Sequence, residues 1–239
     1  MRVWLLEGLP DAEPGFQAWV LDFLGLATWA PTRAEVVKRI PAKYAAYRAW
    51  ARSHGFADPG LNLSVEVVEQ IRGDEVLFAW DRDPATFGEL DQAINLLQAS
   101  RSDLVTTLEW LPAATFDWDP PYEGFLPWAR WRTVRQVVAH LANTETHYYL
   151  PTIGFHPSAE PVPGDSEWQS FLAGRREEVV ECLDRLRHTP DLAQVTEAWA
   201  EGWSVRKVLR RLVWHERLHT KSIRRIAAEY NRQRNPRAT

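Results

Sequence analysis

His215 and His219 stand four residues apart in Trp214-His215-Glu216-Arg217-Leu218-His219, a spacing that puts two imidazoles one turn apart on the same side of a helix. Stepping around that helix at about 100° per residue, Val205, Val208, Leu212, Ile223 and Ile226 gather on one arc, and both histidines fall within it or at its edge. Arg206, Lys207, Arg210, Arg217, Lys221, Arg224 and Arg225 fall opposite. The pair therefore faces the interior, where an unpartnered polar ring is costly, and both rings must find partners in the same small space. His140, within Val137-Val138-Ala139-His140-Leu141, borders the apolar arc of an earlier helix (Val134, Val137, Leu141, Tyr148) and can project into that space. Three neutral imidazoles from two helices suit Zn²⁺ or a similar borderline ion. Three protein ligands also leave at least one coordination position open, as catalytic sites do.

His215-Glu216-Arg217-Leu218-His219 also satisfies H-E-x-x-H, in which Glu216 would be the general base of a zinc protease. That reading needs a third ligand further along. Glu229, the sole downstream carboxylate side chain, lies on the same helix and too far on to share the ion. Glu216 falls on the apolar arc, so it is the candidate catalytic or pocket carboxylate beside the histidines. Trp131 and Tyr148 are the candidate pocket residues. His147, beside Tyr148 and Tyr149, reads as a rim or packing residue, His54 as a helix-end residue, and His156 and His188 as solvated loop residues.

The scaffold that must hold these residues has 239 residues, 45% hydrophobic and 25% charged, with a mean hydropathy of -0.37. That balance describes a globular chain of about two domains. A net charge of -4 gives no global pull toward nucleic acid or anionic lipid, so neither is an expected partner. A single cysteine, Cys182, excludes an intramolecular disulfide framework and a cysteine-based zinc cluster. The apolar run at the N-terminus is too short for a signal peptide and no stretch approaches a membrane span, so a cytoplasmic location is expected.

From Thr86 onward the apolar period is helical. Helices are expected at about 86–111, from a Thr133 cap to about Leu150, at about 166–186 and at about 204–231, separated by loops rich in proline, such as Pro120-Pro121 and Pro163-Gly164. Together they read as a four-helix bundle. The first part has a different period: Val3–Leu6, Gly15–Asp22, Leu24–Trp29 and Ser64–Ile71 are short or alternating strands. Between the third and fourth lies a helix with the capping-box spacing Thr32-Arg33-Ala34-Glu35, a Pro41 that should kink or break it, and an end near Gly55. The order is β-β-β-α-β. With a charged connector over 72–85, the expected fold class is α+β, with an α/β module at 1–75 and an all-α bundle at 76–239.

The bundle resembles the DinB-like superfamily. The resemblance rests on Trp131-Arg132-Thr133-Val134-Arg135-Gln136-Val137-Val138-Ala139-His140-Leu141-Ala142, on Trp203-Ser204-Val205-Arg206-Lys207-Val208-Leu209, and on His215 to His219, across roughly 86–233. It implies a divalent metal, Zn or Ni, held by one histidine of the second helix and two of the fourth; here all three positions are His. Several members are thiol-dependent transferases or isomerases in which the metal lowers the pKa of a low-molecular-weight thiol, so a small electrophilic substrate is implied. The N-terminal module resembles HicB-like modules over Gly15-Phe16-Gln17-Ala18-Trp19-Val20, Gly25-Leu26-Ala27-Thr28-Trp29 and Thr32-Arg33-Ala34-Glu35, which implies an interaction role. The expected function is thus a metal-dependent transferase or hydrolase. The alternative is a non-enzymatic protein in which the metal braces the bundle while the HicB-like half meets a partner.

From Ser204 on, eleven Lys or Arg stand against two Glu, a net of +9. The expected reading is a solvated face complemented by Glu177, Glu178 and Glu181; the sharper one is a surface for a polyanion or a phosphorylated thiol cofactor. Trp214 and Leu218 interrupt that face, which suggests packing on the N-terminal module or a second subunit. A homodimer through the bundle helices is compatible with this.

Overall fold

The computed structural model describes residues 1–8, 15–58, 60, 64–73, 76–122, 131–157, 167–188 and 192–234. Four short strands, β1 (Arg2–Glu7), β2 (Phe16–Trp19), β3 (Ala27–Ala30) and β4 (Glu66–Arg72), form a sheet in the order β3-β2-β1-β4, with α1 (Arg33–Ser53) between β3 and β4 in the chain. The β1–β2 and β2–β3 pairs are antiparallel and β1–β4 is parallel. The expected β-β-β-α-β order is present. Thr32 caps α1 by accepting from the Glu35 amide at 3.2 Å. Of the kink or break expected at Pro41, the break does not occur: the helix runs through it as one element.

Alternation in the strands sends apolar side chains to both faces of the sheet. Val3, Leu5, Ala18 and Val20 pack on Val36, Ile40 and Tyr44 of α1. Trp4, Leu6, Trp19 and Leu21 point the other way, onto Phe78 and Trp214. A sheet wet on one face would show polar residues there; this one is covered twice.

The bundle consists of α2 (Phe87–Glu109), α3 (Val134–Asn143), α4 (Trp168–Leu186) and α5 (Val205–Arg234). Reciprocal caps start two of them: Thr86 exchanges bonds with Glu89, and Thr133 with Gln136. The loop positions Gly124, Pro161 and Pro163-Gly164 lie outside the described residues. The second bundle helix does not stay α-helical to Leu150 as expected. Beyond Asn143 it widens into a π-helical turn, Thr144–Tyr149, and then tightens into a 3-10 turn, Leu150–Ile153. A π turn adds one residue to the helical repeat, so it shifts the inward face by one position. Tyr149, not Tyr148, continues the buried row of Val134, Val137 and Leu141.

Between α4 and α5 lies a hairpin absent from the sequence reading, β5 (Val195–Ala198) and β6 (Glu201–Ser204), joined by Trp199-Ala200. Both turn residues have positive φ, 60° and 62°, the conformation of a two-residue hairpin turn that favours Asn-Gly. Ala200→Gly is therefore expected to stabilise the protein by about 1 kcal/mol, read as a raised midpoint in a denaturant melt; a lowered midpoint would contradict the strain.

The connector and the basic face of α5 turn out to be partners. Phe78 and Asp81 are fully buried. Asp81 receives both arms of the Arg210 guanidinium at 2.8 and 2.9 Å. Arg206 bonds Glu89 and lies over the Trp80 ring, and the Lys207 ammonium donates to the Gly202 carbonyl at 2.8 Å above Trp203. Trp214 packs on Trp19 at 5.3 Å. The turn before β3 comes so close that a Cβ on Gly25, whose φ is +80°, would sit 2.5 Å from Val213. Of the complement expected from α4, Glu178 and Glu181 pair within their own helix, with Arg175 and Arg185. No described helix is long and apolar enough to cross a membrane.

Candidate metal centre

His215 and His219 are both 5% exposed, inside the bundle, as the helical wheel requires. His140 reaches them from the last turn of α3 and is half-buried. The Nε2 atom of His215 lies 3.2 Å from that of His140 and 3.0 Å from that of His219, and the candidate ligand atoms of all three residues fall within 4.8 Å of one another. Two ligand nitrogens on a tetrahedral zinc at about 2.0–2.1 Å stand roughly 3.3 Å apart, so the spacing suits one shared ion. Burial drives the imidazoles toward the neutral, ligating form: His140 is lowered to about 4 and His219 to about 3, the latter also by His140. His215 is held well below the ordinary histidine range by burial and by His219 and His140.

The other ring nitrogens complete the fit. His140 Nδ1 is 3.2 Å from the Thr144 hydroxyl, a contact that holds the ring with Nε2 turned to the cluster. The Nδ1 atoms of His215 and His219 are buried with no hydrogen-bond partner among the described residues. Three neutral rings that crowd their Nε2 atoms together while two lack outer partners form a costly arrangement by themselves. A cation at the focus offsets that cost, and the donor set suits a divalent metal.

Trp131 stacks flat on His140 at 3.4 Å between ring centroids and meets His219 edge-on at 6.0 Å. Tyr149 lies 5.6 Å from His215. Tyr148, the expected pocket residue, is instead turned toward the hairpin: its hydroxyl donates to the Glu201 carboxylate at 2.8 Å and its ring stacks on Trp199. The π turn is the reason, because it rotates Tyr149 into the position an α-helix would give to Tyr148. His147 is outside the cluster and contacts Thr146 at 2.8 Å. His54 closes the end of α1 and meets Asp103 at 3.2 Å.

Glu216 has a different task from the one expected. It is fully buried, and its two oxygens accept from Arg101 and from Arg176. Glu145, also fully buried, accepts from the same two guanidiniums at 3.1 and 3.3 Å. The result is a closed ring of two cations and two anions, contributed by α2, the π turn after α3, α4 and α5. A fully buried carboxylate with a guanidinium on each oxygen is paired by two cations, an arrangement suited to bracing the bundle rather than to general-base work. Burial, with a smaller push from the charge of Glu216, raises Glu145 to about 6 against the pull of Arg176 and Arg101. The ring borders the centre by sequence: Glu216 follows His215, and Glu145 follows Thr144. Sequence reasoning found only Glu216. Its partners carry no local signal, being 115 and 40 residues away.

Comparison with known proteins bears on this region. The DinB superfamily family model matches residues 96–223, from within α2 to within α5, and takes in all three histidines. Among solved structures, YfiT from Bacillus subtilis, described as a probable metal-dependent hydrolase with an unusual four-helix bundle topology, is 20% identical with a TM-score of 0.46, over 62% of this chain and 91% of that one. No curated protein matches the chain.

Proposed function

The chain belongs to the DinB superfamily, and from that premise we propose that it is a divalent-metal-dependent enzyme whose ion is held by His140, His215 and His219. The observation that carries this reading is the convergence of three neutral imidazoles, two buried and one half-buried, through their Nε2 atoms, with no fourth Asp, Glu, His or Cys in the group among the described residues. Three protein ligands leave a position for a reactant, which favours catalysis over a purely bracing metal. Zinc and nickel, the ions the family resemblance implies, are among those that imidazole donors suit. Bound there, it would supply a nucleophile at neutral pH by acidifying a thiol or a water.

The chain's own residues have the remaining tasks. Thr144 orients His140, and the flat contact of Trp131 both fixes that ring and walls the pocket. Burial of His215 and His219 keeps water off the ligand nitrogens. The reaction we favour is transfer of a low-molecular-weight thiol to a small electrophile, with hydrolysis as its close relative. The N-terminal module shares an apolar interface with α5, and a part in shaping the pocket fits that better than an independent HicB-like interaction role.

The test is an assay of zinc- or nickel-loaded protein against chelator-treated protein. Consumption of cysteine or glutathione with a chlorinated nitroarene, and hydrolysis of an aryl ester, would be followed in parallel. Metal-dependent turnover in one of them is expected. Protein that takes up no metal on reconstitution would overturn the reading.

A further inference from the structure

A cavity lies on the opposite side of α5 from the histidines, between α1, the turn before β3 and the α2–α5 pair, with a volume of about 370 Å³. That is within the range of small-ligand sites, about 300–1,000 Å³. Four cations line it, Lys43, Arg217, Lys221 and Arg224, against one acid, Asp103. Asp103 is already engaged, accepting from Trp50 Nε1 at 2.7 Å and contacting His54 at 3.2 Å. Lys43 and Lys221 have no acidic partner among the described residues. In a chain with a net charge of -4, that leaves a local excess of positive charge in a concave, partly apolar space.

The cations are not all loose. Arg217 donates to the Gly25 carbonyl at 3.0 Å and lies over Trp50 and Tyr47, 4.1 and 4.8 Å from the ring centroids. Arg224 is tied to the Thr107 hydroxyl at 3.1 Å. A guanidinium fixed on an aromatic floor presents its remaining N–H groups in a set direction, the arrangement that recognises phosphate and carboxylate. The basic face of α5 therefore divides in two. Arg206, Lys207 and Arg210 are spent on the connector and hairpin, whereas Arg217, Lys221 and Arg224 face the cavity.

We propose that this cleft binds a small organic anion, one with a phosphate-like dianion attached to a flat apolar body. The dianion would meet Lys43, Lys221 and Arg224, and the flat part would lie beside Tyr47 and Trp50. A cleft of about 370 Å³ falls in the range of small-ligand sites, which favours a small molecule over a nucleic-acid strand.

The test is calorimetric titration of the full chain with phenyl phosphate, beside inorganic phosphate, phenol and a single-stranded oligonucleotide. Saturable one-site binding of phenyl phosphate is expected, weaker for inorganic phosphate, absent for phenol, and reduced by added salt. Lys43→Ala combined with Lys221→Ala should weaken it by about tenfold or more. Both side chains are exposed, so the variant keeps its fold, checked by its melting temperature; Lys38→Ala, outside the cavity, should leave binding unchanged. His215→Ala should bind phenyl phosphate as wild type does, which separates this site from the metal reading. Equal binding by the double variant, absence of saturable binding at millimolar ligand, or loss of binding in His215→Ala alone would overturn the proposal. So would binding of the oligonucleotide without binding of phenyl phosphate.

Discussion

His215→Ala is expected to strip the protein of its metal. His215 Nε2 is the atom that contacts both of the others, at 3.2 and 3.0 Å, so its removal leaves two ligands that no longer share a neighbour. Loss of a group that merely hydrogen-bonds a ligand weakens metal binding by roughly 10–100-fold. Loss of the central ligand should exceed the upper end of that range. Elemental analysis after dialysis should then fall from about one ion per chain to near zero. Thr144→Ala, which removes the partner of His140 Nδ1 at 3.2 Å, gives the graded control: metal is retained but bound within that 10–100-fold weakening. Full metal content in His215→Ala would place the ion elsewhere.

The second large effect concerns the ring of Arg101, Glu145, Arg176 and Glu216. Glu216→Ala leaves two buried guanidiniums with one carboxylate between them. Breaking a buried pair from one side costs about 3–5 kcal/mol, because the surviving charge stays desolvated and uncompensated. For a chain of this size that corresponds to a fall in Tm on the order of 10 °C. Arg101→Met should cost a similar amount, with the further loss of its bond to the Leu172 carbonyl. The combined variant leaves Arg176 and Glu145 as a balanced pair, so its cost should be well below the sum of the two singles. A denaturant melt of the three variants reads the coupling directly. Singles within about 1 kcal/mol of wild type would mean that water reaches the ring and screens it.

That ring also marks where sequence reasoning stops. The histidine pair was legible because helical periodicity decides which side of α5 faces inward, and His140 was legible from the arc of its own helix. The N-terminal strands showed through alternation, α2 through its helical apolar period, and α3 through the cap at Thr133. Arg101, Glu145 and Arg176 look like ordinary surface charges on their own helices; only the meeting of four elements makes them a network. The hairpin was missed for a local reason, since Trp199-Ala200 lacks the Gly or Asn that normally marks such a turn. That Tyr148 faces the hairpin while Tyr149 lies beside His215 could not be read from the sequence, because a π turn leaves no signature in side-chain spacing. The basic face of α5 read as solvated because Asp81, Glu89 and the Trp80 ring, which meet Arg210 and Arg206, lie more than a hundred residues earlier in the chain.

The double covering of the sheet has a consequence for how the chain folds during synthesis. One apolar face, with Val3, Leu5 and Val20, is closed by α1 soon after it emerges. The other face, with Trp4, Leu6 and Trp19, awaits Trp214, which follows Trp19 by some two hundred residues. Contacts of that separation form late, because a long loop must close before they can contribute. The growing chain thus carries a bare tryptophan-rich surface until α5 is made, and that surface is the natural point for chaperone capture or for mispairing with a neighbouring chain.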